Sequence, residues 1–147
     1  ISAARRLACD LALELAEKTP EAAARAYREL AAEQIKIRLK VDDTPQLKLI
    51  SARLDSLNGR HDGAAQVLRE LLNDAEGDAP LYVDTAKALS EVYARMGKWS
   101  DAADLPIFLL TTAEGSAVLV ERWPGIKVFL KECIARGAKV PAGVKLD

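Results

Sequence analysis

The sequence predicts an all-α protein, a bundle or short solenoid of about seven antiparallel helices. Three observations carry that prediction. Apolar residues recur at three- and four-residue spacing in successive windows. Each window is bounded by capping residues, Pro or Gly. Half the residues are apolar and 29% are charged, a globular balance with enough apolar surface for a core.

Ser2 to Lys18 reads as the opening helix, with Ala4, Leu7, Ala8, Leu11, Ala12 and Leu15 on one face. Thr19-Pro20-Glu21 restarts the chain as cap, first-turn Pro and first-turn acid. The helix that follows is expected to turn Ala23, Ala26, Tyr27 and Leu30 inward. Ile35 to Val41 alternates apolar and basic residues, the period of a strand. The same residues continue a helical stripe through Tyr27, Leu30, Gln34, Ile37 and Val41. A helix is favoured, because a lone strand has no partner here. As a strand it would instead offer Lys36, Arg38 and Lys40 to another protein's sheet edge.

Thr44 and Pro45 open the next helix, whose seam is Leu47, Ile50, Leu54 and Leu57, and Gly59 suits its left-handed stop. Asp62 is expected to cap a helix with Ala64, Val67, Leu68, Leu71 and Leu72 apolar, ending at Gly77. Asp78 and Pro80 start another, with Leu81, Ala88, Leu89, Val92 and Met96 inward and Gly97 beyond. Ser100 is expected to cap the next helix, with Trp99 folded back as a hydrophobic staple. Pro106 inside that helix lacks an N–H, so the helix should kink there or begin near Asp104. Ala117 to Arg122 forms a short element stopped by Pro124. A last helix runs from about Gly125 to Arg136, with Ile126, Phe129, Leu130 and Cys133 on one side. This organises the chain as an N-terminal helix pair (1–43), a helical interaction domain (44–137) and an extended tail (138–147).

Little in the sequence speaks for chemistry. Cys9 and Cys133 lie at opposite ends of the chain, too sparse for a disulfide framework, and read as reduced, packed thiols. With His61 as the single histidine, a closed zinc site cannot be built without carboxylates. His61 itself falls in the turn from Asn58 to Gly63, where a polar residue needs no special role. No phosphate-cradling Gly loop, HExxH pair or GxSxG elbow occurs, so neither a cofactor nor an enzyme is expected. A net charge of −1 and 5% aromatics argue against nucleic-acid binding. Every long apolar stretch is broken by charge, so no membrane span is expected.

Gly59 with Ala64 and Gly97 with Ala102 repeat a turn Gly followed by a small residue. With Leu89, Ser90 and Tyr93, the later unit resembles tetratricopeptide helix pairs, at a period about four residues longer than their usual one. A second resemblance is carried by three runs, which are Ala86-Lys87-Ala88-Leu89, Lys98-Trp99-Ser100-Asp101-Ala102-Ala103-Asp104 and Arg122-Trp123-Pro124-Gly125-Ile126-Lys127-Val128-Phe129-Leu130. From Ala64 to Glu132 the chain resembles the C-terminal helical domain shared by the steroid receptor RNA activator protein and the large outer-cage subunit of the COPII vesicle coat. It departs from that pattern by one extra residue after Trp99, by the closeness of Trp123 to Gly125, and at Pro106.

The resemblance implies a non-catalytic scaffold of a multi-subunit assembly, a vesicle coat or co-regulator complex. Its partners would be protein subunits, with peripheral membrane association through a coat. The expected compartment is intracellular, cytoplasmic or alternatively mitochondrial. The sequence opens on Ile1 rather than Met, which reads as a processed chain or an excised piece. An accessory subunit of an organellar complex is therefore the alternative. The candidate interaction residues are Leu7, Leu11, Trp99, Trp123 and Lys127. Replacing Leu7 and Leu11 by Asp is expected to abolish assembly. Both Trp side chains also suit burial as staples, and Lys127 suits a first-turn solvent charge.

Overall fold

A computed structural model of the chain describes residues 21–41 and 43–146, the side chain of Ala22 excepted. The helix expected over Ser2 to Lys18, with Leu7 and Leu11, lies outside the described residues. Seven helices follow: α1 (Glu21–Leu39), α2 (Pro45–Leu57), α3 (His61–Asp74), α4 (Ala79–Arg95), α5 (Trp99–Thr112), α6 (Ala117–Arg122) and α7 (Ile126–Ala135). The described residues contain no strand, so the all-α class holds and the Ile35–Val41 ambiguity resolves as helix through Leu39. The chain divides into two compact units, 1–67 and 68–147, with the division inside α3.

In the first unit α1 packs on α2. Ala31 and Ile35 meet Ile50 and Leu54, with Leu39 and Leu57 at the margin. Fully burying a side chain the size of Ile35 or Leu54 stabilises by about 1.5–3 kcal/mol. Thr44 caps α2 as expected, its Oγ1 accepting from the Leu47 N–H at 3.3 Å. Gly59 takes φ +89°, the left-handed stop that its place after Asn58 requires.

The inward face expected for α1 needs correction. Ala23, Ala26, Tyr27 and Leu30 are exposed, and the buried row is Ala24, Arg28, Ala31 and Ile35. The two rows are neighbours on the helix, and contact with α2 selects the one with smaller side chains and a buried Arg.

In the second unit α4 packs on α5, α7 packs on α5, and α6 packs on α4. Ala86, Ala102 and Ala103 are buried where small side chains let helices approach closely. Leu109, Leu119, Ile126, Leu130 and Cys133 complete the core. The stretch after α7 has neither helix nor strand, and Ala138 tucks into the same core. Asp78 and Ser116 cap α4 and α6 by accepting from the Leu81 and Leu119 N–H groups, each at 3.2 Å.

Two expected caps are corrected. The Arg60 carbonyl accepts from Ala64, so α3 begins at His61 and Asp62 is a first-turn acid that favours the positive helix end. The Lys98 carbonyl accepts from Ala102, so Trp99 and Ser100 are already helical and no side chain caps α5. That helix starts at Trp99, not near Asp104, and runs through Pro106 to Thr112. Pro106 is buried, and its packing offsets the backbone bond that it cannot donate.

Candidate functional site

The feature that the described fold leaves unexplained is the outer face of α1. Tyr27, Leu30, Ile37 and Val41 are 43, 60, 50 and 79% exposed. With exposed Gln34 between them they follow alternating three- and four-residue steps, the spacing of a coiled-coil seam. Ala23 and Ala26 extend the row towards the start of the helix. Helical geometry sets Glu29, Glu33, Lys36 and Lys40 along one edge of this row, and all four are exposed. Single exposed apolar residues are ordinary on protein surfaces, whereas an ordered row of them on one helix marks a contact surface.

The opposite side of α1 is anchored by Arg28, 6% exposed. Its Nη2 meets Glu21 at 2.8 Å and its Nε donates to the Asn58 Oδ1 at 3.1 Å. Next to it an open cleft of about 340 Å³ is lined by Glu21, Arg25, Arg28, Glu29, Asn58 and Arg60. The cleft mixes three guanidiniums with two carboxylates, and Arg60 already pairs with Asp55 at 3.4 Å. Two of the three cations are thus compensated, and the cleft lacks the free positive charge of a phosphate cradle.

His61 is not a loop residue but the first residue of α3. Its Nδ1 lies 2.9 Å from the Ser56 Oγ, joining the end of α2 to the start of α3. The pairing of Ser with His is the chemistry of an activated nucleophile, yet Ser56 is 1% exposed and offers no approach to a substrate. The pair reads as a structural latch. Among the described residues, no group of three or more His, Cys, Asp or Glu is arranged to hold a metal ion.

The remaining candidates lie in the second unit. Trp123 is 3% exposed, its ring 5.6 Å from that of Phe129, so the staple reading describes it. Trp99 is half-buried and carries the Arg136 guanidinium 5.2 Å above its ring. Lys127 pairs with Glu114 at 3.1 Å, tying α7 to the loop after α5. The structure brings none of these into one constellation.

Titration in this unit is shifted by burial. The Tyr82 hydroxyl is pushed up by desolvation and then by the Glu76 charge. Asp104 is raised by desolvation and then by Asp101 one turn earlier. Burial pushes the Cys133 thiol up, with Glu132 acting in the same direction and a backbone hydrogen bond opposing both. None of these groups lies with others in a pocket that would use the shift.

No helix among the described residues is long and apolar enough to cross a membrane. Comparison of the chain with protein-family models, with characterised proteins and with solved structures gives no match.

Proposed function

We propose that this chain is a non-catalytic protein–protein interaction module that presents the outer face of α1 as a docking surface. The observation that carries the proposal is the row Tyr27, Leu30, Ile37 and Val41, exposed on a helix whose other face is already packed on α2. An amphipathic helix read at such positions is a recurring mode of recognition, and the apolar row supplies the affinity. Its assembly would be of the vesicle-coat or co-regulator type implied by the resemblance over 64–132.

In the second unit, Trp99 is the accessible aromatic of the two tryptophans and Lys127 lies at the start of α7. They serve as secondary contacts. Trp123 contributes to the core instead.

The test is affinity purification of the full chain against a Leu30→Asp, Ile37→Asp variant, with quantitative mass spectrometry and circular dichroism as the folding control. The expected result is an unchanged helical spectrum with loss of the co-purifying subunits. Equal recovery of the same subunits by both proteins would refute the docking role of α1.

A further inference from the structure

The edge of the α1 row has a polarity that selects its occupant. Glu29 and Glu33 lie on its N-terminal half, and Lys36 and Lys40 on its C-terminal half. A second α1 laid parallel would set acid against acid and base against base. Laid antiparallel, it sets Glu29 and Glu33 opposite Lys36 and Lys40, and the helix dipoles also oppose favourably. The apolar positions obey the same symmetry about Gln34. Leu30 then meets Ile37 of the other copy, and Tyr27 meets its Val41.

Gln34 occupies the seam itself and is exposed. Its amide carries both donor and acceptor groups, so two Gln34 side chains at a two-fold axis can satisfy one another. A polar residue at one seam position fixes register, because sliding by one heptad would leave it facing apolar neighbours.

We infer that the outer face of α1 docks on the same face of a second copy of this chain, antiparallel across a two-fold axis through Gln34. This inference rests on reading that row as a docking surface. An isologous contact of this kind closes at two copies. From Tyr27 to Val41 the seam is only about 21 Å long at 1.5 Å per residue. The association is therefore reversible and dependent on concentration.

The experiment is sedimentation equilibrium on the full chain across a wide concentration range. The unaltered protein is expected to shift reversibly from monomer to dimer, and the Leu30→Asp, Ile37→Asp variant to stay monomeric with the same helical content. A Glu29→Lys, Glu33→Lys variant and a Lys36→Glu, Lys40→Glu variant should each self-associate at least about tenfold more weakly, and their mixture should recover as a heterodimer. Orientation is read by oxidative crosslinking in a Cys9→Ser background. Tyr27→Cys chains mixed with Val41→Cys chains should crosslink, and each alone should not.

A monomeric unaltered chain at every concentration overturns the inference, as does dimerisation indifferent to the charge reversals. Dimerisation that appears only after deletion of residues 1–18 also overturns it, and would assign the row to the chain's own N-terminal segment. A monomer whose capture of other subunits still depends on Leu30 and Ile37 would sink self-docking alone and leave the proposed function standing. Indifference of that capture to both residues would sink the two readings together.

Discussion

The Arg28 Nε donates to the Asn58 Oδ1 at 3.1 Å, joining the middle of α1 to the residue that ends α2. The same guanidinium meets Glu21 at 2.8 Å, but the Glu21 side chain is 85% exposed. Water already solvates that carboxylate, so the ion pair adds little, whereas a buried guanidinium losing Asn58 has no substitute acceptor. Asn58→Ala should therefore cost about 1–3 kcal/mol in urea unfolding. Glu21→Gln should cost less than about 1 kcal/mol. Equal losses in the two variants would show that Asn58 does not anchor α1.

The two faces of α1 and the core of the second unit differ in what a deletion should cost. Leu130 is fully buried, and Leu130→Ala should cost about 2–5 kcal/mol from lost transfer energy plus the cavity left behind. Leu30, 60% exposed, should change monomer stability by no more than about 0.5 kcal/mol when replaced by Ala. Urea unfolding at low protein concentration, where association is negligible, reads both. A loss above 2 kcal/mol for Leu30→Ala would mean that its face belongs to the core.

That contrast also explains what could be read from the residues alone. Helices with one apolar stripe and a capping side chain were legible, as at Thr44 with Leu47, Ile50 and Leu54, because only one face can be buried. On α1 two stripes compete. The larger side chains Tyr27 and Leu30 pointed to the wrong one, since periodicity carries no information about which row meets α2. Arg28 disguised the buried row, because a buried Arg is predictable only with its Asn58 partner in view. Asp62 and Ser100 misled for a different reason. Their side chains suit caps, but the first helical carbonyls belong to Arg60 and Lys98, one and two residues earlier than Asp62 and Ser100 would need as neighbours of their own caps. The docking row itself was visible as the stripe continuing to Val41, and only its exposure distinguishes it from core.

Arg136 over Trp99 makes a second, independent check on the second unit. The guanidinium lies 5.2 Å from the ring centroid, and its Nε also meets Glu132 at 2.9 Å. Stacking of a planar cation on an indole contributes about 0.5–1 kcal/mol at an exposed site. Arg136→Gln should lose about that amount and should increase acrylamide quenching of the Trp99 emission. Because Trp123 is buried, it supplies the unquenched background in both proteins. Unaltered quenching would show that Arg136 does not cover the ring.

Cys133 links burial to pH. Desolvation holds its thiol above the ordinary range, so the folded protein keeps the proton longer than the unfolded chain does. Where pH rises past the ordinary thiol range, the unfolded chain binds fewer protons than the native one, and stability must fall with pH. The thiol's contribution is complete below that range and lost progressively as pH rises towards the folded value. Cys133→Ala removes this dependence at the cost of a small cavity. Unfolding midpoints for the two proteins, both in a Cys9→Ser background, should therefore converge between neutral and strongly alkaline pH. In the same background a thiol reagent should modify Cys133 only as fast as the protein opens, since the thiolate is the reactive species and the side chain is fully buried. Rapid, stoichiometric modification of the folded protein at neutral pH would contradict the packing of α7 against α5 on which the second core depends.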